Sequence, residues 1–96
     1  MVTSEMLRKL VTYSGNVQGV GFRWNVLNIS KAYDVSGYVK NLPTGKVEAL
    51  VEGRESTVLK MIEEMDGNLK DFWTTKWEEV KCGEAHHQKF EIKYFL

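Results

Sequence analysis

"VSGYVKNLPTGKVEALVEG", from Val35 to Gly53, sets the order of elements that decides the fold. Two strand-like runs are parted by Pro43-Thr44-Gly45. Proline presets φ for a turn and glycine tolerates positive φ, so the runs fold back on each other as a hairpin. In the second run Val47, Ala49 and Val51 alternate with Glu48, Leu50 and Glu52, giving one apolar face and one mixed face. In the first, alternation places Val35, Gly37, Val39 and Asn41 on one face and Tyr38 and Lys40 on the other. Asn41 is thus a polar group ending an apolar row, just before the turn.

On both sides of the hairpin the period changes. Phe22, Val26, Ile29 and Tyr33 recur at helical spacing and predict a helix ending near Asp34. Val58, Met61, Ile62 and Met65 predict a second helix, stopped by Asp66-Gly67. Further out, "LRKLVTYS" (Leu7 to Ser14) reads as a strand and Asn68 to Thr75 as a loop. Trp77 to Cys82 reads as a weaker strand. "FEIKYF" sets Phe90, Ile92 and Tyr94 against Glu91 and Lys93. The order β-α-β-β-α-β plus a C-terminal strand predicts an α+β fold. It is a ferredoxin-like α/β sandwich, with two helices on one face of an antiparallel sheet. That fold serves many functions and selects none.

The 96 residues suffice for a single domain over 1–96, with residues 1–6 expected as a flexible N-terminus. Thirteen basic residues balance thirteen acidic ones, so no overall positive field favours nucleic acid. No apolar run is long enough to span a bilayer, and "MVTSEMLRKL" lacks the hydrophobic centre of a secretion signal, so no membrane association is expected. Cys82 is the only cysteine, which predicts no intramolecular disulfide and a cytoplasmic location.

Between the first strand and first helix lies "GNVQGVGFRW", beginning at Gly15. Its G-x-x-x-G-x-G spacing is not the G-x-G-x-x-G of dinucleotide folds, and no G-K-[ST] follows. A helix starting near Phe22 still leaves its first amides unpaired and carries partial positive charge there. Gly19 and Gly21 let the preceding backbone curl so that more amides converge in an anion nest. Arg23 falls in the first turn, where a cation opposes the helix dipole and an anion would relieve the conflict. Composition alone equally permits a flexible loop with a solvated arginine, and Asn41 as ordinary turn chemistry.

Together, "GNVQGVGFR" and "GYVKNLPTGKVEALVEG" resemble the acylphosphatase family, whose signatures are a G-x-V-Q-G-V-x-F-R loop and a G-x-V-x-N strand end. The resemblance spans Gly15 to Gly53. It implies the ferredoxin-like fold and a monomeric enzyme that hydrolyses acyl phosphates without metal or cofactor, with inorganic phosphate or sulfate as product or inhibitor. Carried over, Arg23 is the phosphate-binding arginine and Asn41 the water-orienting asparagine. Gly15, Asn16, Val17, Gln18, Gly19, Val20, Gly21 and Phe22 form the phosphate-binding loop. There are departures: Tyr38 and Lys40 replace the usual tryptophan and arginine, and Pro43-Thr44-Gly45 replaces an Asp-Gly type turn. Gly67-Asn68 stands where Gly-Pro is frequent, and Phe72 to Gln88 matches only loosely.

The chemistry so implied asks little of the protein. The leaving carboxylate has a pKa of about 4 and departs without a proton, so no general acid is needed. What remains is to hold the phosphoryl oxygens, offset their charge and align a water. Arginine's planar fork suits two phosphate oxygens, and a carboxamide orients water while being too weak a base to take its proton. Rival sites are thin. Cys82, His86 and His87 lack a fourth ligand and read instead as a buried strand thiol and surface imidazoles. Trp73 and Trp77 read as core or lid packing rather than a cofactor platform. An RNA-recognition module would need aromatics where "KVEALVEG" has none. A non-catalytic phospho-ligand-binding module stays open beside the enzyme.

Overall fold

The computed structural model describes residues 5–94. Among them the two periods become five strands and two helices. These are β1 (Met6–Gly15), α1 (Phe22–Ser30), β2 (Val35–Asn41), β3 (Val47–Arg54), α2 (Glu55–Asn68), β4 (Trp73–Lys81) and β5 (Phe90–Lys93). Met6 already pairs with Arg54, so the expected flexible segment gives way to strand at Met6, and its residues 1–4 lie outside the described residues.

The sheet order is β4-β1-β3-β2-β5. The first four strands are antiparallel, as expected, and β5 joins β2 in parallel, which makes the sheet mixed. Connectivity explains the difference. Residues 82–89 carry the chain from one edge of the sheet to the other, and it re-enters running opposite to β4, which is the direction of β2. Apolar residues of the alternating strands meet the two helices on one face. Val11, Tyr13, Val39, Val47, Ala49 and Val51 are fully buried against Val26, Val58, Met61 and Met65. At Gly37 the neighbouring strand comes so close that a Cβ would lie 1.9 Å from the Leu50 carbonyl oxygen, so only glycine fits.

Three boundaries differ from the sequence expectation. Helix α1 ends at Ser30 rather than near Asp34, because the Tyr33 amide turns back to the Ser30 carbonyl at 3.0 Å. The Tyr33 hydroxyl then donates to Glu64 of α2 at 2.6 Å. Helix α2 runs through Gly67 to Asn68. Strand β4 starts at Trp73, inside the expected loop, because that indole packs on Tyr13 and donates to the Asp66 carbonyl at 3.1 Å. A register shift between Ser14 and Gly15 turns Trp73 to the helix face, while Trp77, opposite Thr12, lies on the open face. Cys82 follows β4 and is exposed, not a buried strand thiol.

The mixed face of β3 hides a charge. Glu52 is fully buried, receiving Arg8 Nε at 2.7 Å, the His86 and His87 amides at 3.0–3.2 Å and the Ser36 hydroxyl at 3.0 Å. Arg8 also donates to the Cys82 carbonyl at 2.6 Å, so this cluster straps residues 82–89 across the sheet. Burial opposes the charge, but the His86 amide, Arg8, the His87 amide and Ser36 outweigh it and hold the carboxyl down at about 2.

A carboxyl depressed in the folded state stabilises the protein above its unfolded pKa and loses that contribution as pH falls through its folded pKa. Acid titration should therefore show stability draining between about pH 4.5 and 2, a loss that Glu52→Gln removes. Glu52→Ala should cost about 3–5 kcal/mol in denaturant titration, because it strands Arg8 without its partner. A loss under 1 kcal/mol would show that the strap is not a stabilising element.

Candidate functional site

The turn between β1 and α1 is pinned at two points. Val17 and Phe22 are each only 1% exposed and plug into the core. Between them Gly19 (φ 79°) and Gly21 (φ 76°) take the left-handed conformation that only glycine adopts readily. Gly21 caps α1 with no side-chain hydrogen bond, and the first turn contains no acidic residue. Its carbonyl accepts both the Asn25 amide (3.0 Å) and the Asn25 carboxamide (2.9 Å). The amides from Gly19 to Trp24, by contrast, make no backbone hydrogen bond among the described residues. The positive pole of α1 is left uncompensated.

Arg23 adds a full charge to that pole. It has no carboxylate partner among the described residues, and its guanidinium lies 5.1 Å from the centre of the Tyr94 ring. Asn41 approaches from the end of β2. Its Oδ1 is buried and accepts no hydrogen bond from any described residue, an unmet demand that proteins rarely tolerate without a use. Gln18 fixes the distance between the two parts. Its Nε2 donates to the carbonyls of Leu42 and Lys46, both at 2.9 Å, tying the glycine turn to the hairpin that follows Asn41.

These parts meet in a cleft of about 140 Å³. Of the residues singled out from sequence, Val17, Gly19, Gly21, Phe22, Arg23 and Asn41 line it. Gly15, Asn16, Gln18 and Val20 do not. Gly15 lies so close to the backbone of Phe72 and Thr74 that a Cβ would meet it at 2.8 Å, and Val20 packs on the core. Trp24, Ile92 and Tyr94 complete the wall and carry no functional signal in the sequence reading. A cation, unpaired amides and a lone carbonyl acceptor in one small cleft suit a compact oxyanion beside a water. His86 and His87 sit elsewhere, with their amides on Glu52, and no three Cys, His, Asp or Glu side chains among the described residues are placed to hold a metal.

Known proteins resemble this chain in sequence and fold. The acylphosphatase family model matches residues 9–92. An acylphosphatase of Archaeoglobus fulgidus is 36% identical over 93% of this chain and the whole of that protein. One from Methanothrix thermoacetophila is 37% identical over 88% of this chain and 93% of its own length. Among solved structures, acylphosphatase from Bacillus subtilis superposes with a TM-score of 0.81 at 29% identity, covering 92% of this chain and 99% of that one.

The tether is open to direct test. Gln18→Ala removes the donor that joins two elements and should cost about 1–2 kcal/mol of stability. It should also shift the amide NMR signals of both Gly19–Gly21 and Leu42–Lys46. Shifts confined to the immediate neighbours of residue 18 would refute a tether.

Proposed function

The chain belongs to the acylphosphatase family and is a hydrolase acting on acyl phosphates, and within that activity we propose that Arg23 and the amides of the glycine turn hold the phosphoryl group while Asn41 orients the attacking water. The observation that carries the assignment is the buried Oδ1 of Asn41, without a partner among the described residues, in the same cleft as an arginine that no described carboxylate pairs.

Each group then has one task. Arg23 offers a planar pair of N–H donors to two phosphoryl oxygens, and the uncapped N-terminus of α1 offers backbone donors to the same group. Charge spread over those oxygens in the transition state meets donors already in place, which is the usual source of rate in phosphoryl transfer. Asn41 Oδ1 accepts an O–H of the water and aims its lone pair at phosphorus. The carboxylate leaves unprotonated, so the reaction calls for no general acid. The same clamp binds inorganic phosphate, the product, or sulfate as competitive ligands. We further infer a cytoplasmic monomer. The lone cysteine is a free, exposed thiol suited to a reducing compartment.

Purified protein should hydrolyse benzoyl phosphate in the presence of chelator and leave phosphate monoesters nearly untouched. In Asn41→Ala, kcat should fall on the order of 10²-fold, with the inhibition constant of inorganic phosphate nearly unchanged, because the residue serves the water and not the anion. Near-normal kcat with a greatly raised KM would reverse that assignment.

Arg23→Ala should abolish turnover and phosphate binding, and Arg23→Lys should restore little of either. In phosphate-free buffer the stability of Arg23→Ala should stay within about 1 kcal/mol of the parent. Relief of the conflict with the helix dipole and loss of the Tyr94 contact are of similar size and opposite sign. A loss of several kcal/mol would make Arg23 a structural residue.

A further inference from the structure

The walls of the cleft divide by chemistry. Arg23, Asn41 and the glycine turn make one part polar, and Trp24, Ile92 and Tyr94 make the other apolar. Neither aromatic serves the core, since Trp24 is 57% and Tyr94 69% exposed. Trp24 is the third residue of α1, directly after Arg23, and lines the cleft. Lys31, 5.8 Å from the indole centre, flanks it along the same helix. Tyr94 already has one cation, Arg23, against its ring and so stands directly beside the phosphoryl clamp.

The reaction gives this arrangement an occupant. In-line attack puts the acyl carboxylate on the side of phosphorus opposite the water that Asn41 orients. Because Asn41 Oδ1 is buried, the acyl group departs toward the open side of the cleft, where Trp24 and Tyr94 are the exposed aromatic lining residues. We propose that Trp24 and Tyr94 form an acyl-side subsite that selects acyl phosphates with flat, aromatic acyl groups over short aliphatic ones, with Trp24 as the specificity-determining residue. The subsite rests on the hydrolytic reading above for its substrate, while its binding preference is measurable without turnover. Two aromatic faces gain from an offset-stacked or edge-on ring what they cannot gain from a methyl group. Trp24 contributes to this discrimination through the substrate's ground state and transition state alike, so its effect belongs mainly in KM.

The test compares benzoyl phosphate with acetyl phosphate in the parent, Trp24→Ala and Trp24→Phe. It also measures calorimetric binding of the non-hydrolysable benzoylphosphonate and acetylphosphonate. Trp24→Ala should lower the benzoyl-to-acetyl ratio of kcat/KM roughly three- to tenfold, the factor that one aromatic contact represents. Trp24→Phe should keep most of the ratio, and the two phosphonates should show the same change in relative Kd. Equal losses on both substrates, or an unchanged ratio, would overturn the subsite. A parent that binds benzoylphosphonate preferentially yet hydrolyses neither acyl phosphate would leave the subsite standing and remove the catalytic assignment instead. Trp24 is exposed, so both variants should fold, which thermal melts verify.

Discussion

Val47 stands opposite Tyr13 of β1 and opposite Asn41 of β2, with no exposed surface of its own. Through this one position the strand that leads into the glycine turn and the strand that ends in Asn41 are held level, two sheet spacings apart, or roughly 10 Å. Side chains alternate along a strand, so a slip of one residue in the β2–β3 ladder would send Asn41 to the open face, and one in the β1–β3 ladder would do the same to Tyr13. The register is set by burial. Val11, Val39 and Ala49 are fully enclosed in the adjacent rows, and any slip would trade them for charged neighbours such as Glu48 and Lys40. The packing that stabilises the sheet is thus the same packing that places the two sides of the cleft.

At the other end of the same ladder, Arg8 faces Glu52, and there the sheet holds a buried charge instead of apolar rows. A buried ion pair of this kind adds little net stability over apolar packing, but breaking it is costly. Its structural effect is directional. By holding the amides of His86 and His87, Glu52 fixes the path of residues 82–89 over the open face, and that path delivers β5 beside β2. Ile92 and Tyr94 then reach the cleft. Gln18 works the same way over a shorter span, joining the glycine turn to the β2–β3 hairpin. Neither Glu52 nor Gln18 touches the reacting atoms, yet both decide where the wall of the cleft stands.

Much of this was legible in the sequence because it is local. Alternation across Val47 to Glu52 and helical spacing from Val58 to Met65 need only neighbouring residues, and they yielded the strand and helix order directly. The two signature stretches single out Arg23 and Asn41, which the fold brings to one cleft. What stayed hidden is non-local. Glu52 reads as a glutamate on a mixed strand face, and the groups that enclose it, Arg8, Ser36 and the amides of His86 and His87, are all distant in sequence. Gln18 offered only its backbone to the reading, while its carboxamide turned out to serve a hairpin 24 to 28 residues on. Strand β4 lies at the sheet edge and is largely exposed, so it carries little hydrophobic pattern, and its true start at Trp73 depends on contacts with Tyr13 and α2. Tyr94 looked like one more apolar face position, because nothing local says that Arg23 will lie against it.

Three unmet demands come together in the cleft. Arg23 has no carboxylate, the amides from Gly19 to Trp24 have no backbone acceptor, and Asn41 Oδ1 has no donor among the described residues. Of these, the buried Asn41 Oδ1 carries a desolvation cost of about 1–3 kcal/mol, which the buried core of Tyr13, Phe22, Met61 and Met65 can absorb. The demands are complementary to one another's solution. A phosphoryl group brings acceptors for the arginine and the amides, and a water brings the donor that Asn41 lacks. A site already relieved by its own side chains would have to break those contacts before binding. Among the described residues no hydrogen bond or ion pair of Arg23, these amides or Asn41 Oδ1 has to be undone, so binding energy is free to act on the transition state, where the oxygens carry the charge that these donors meet.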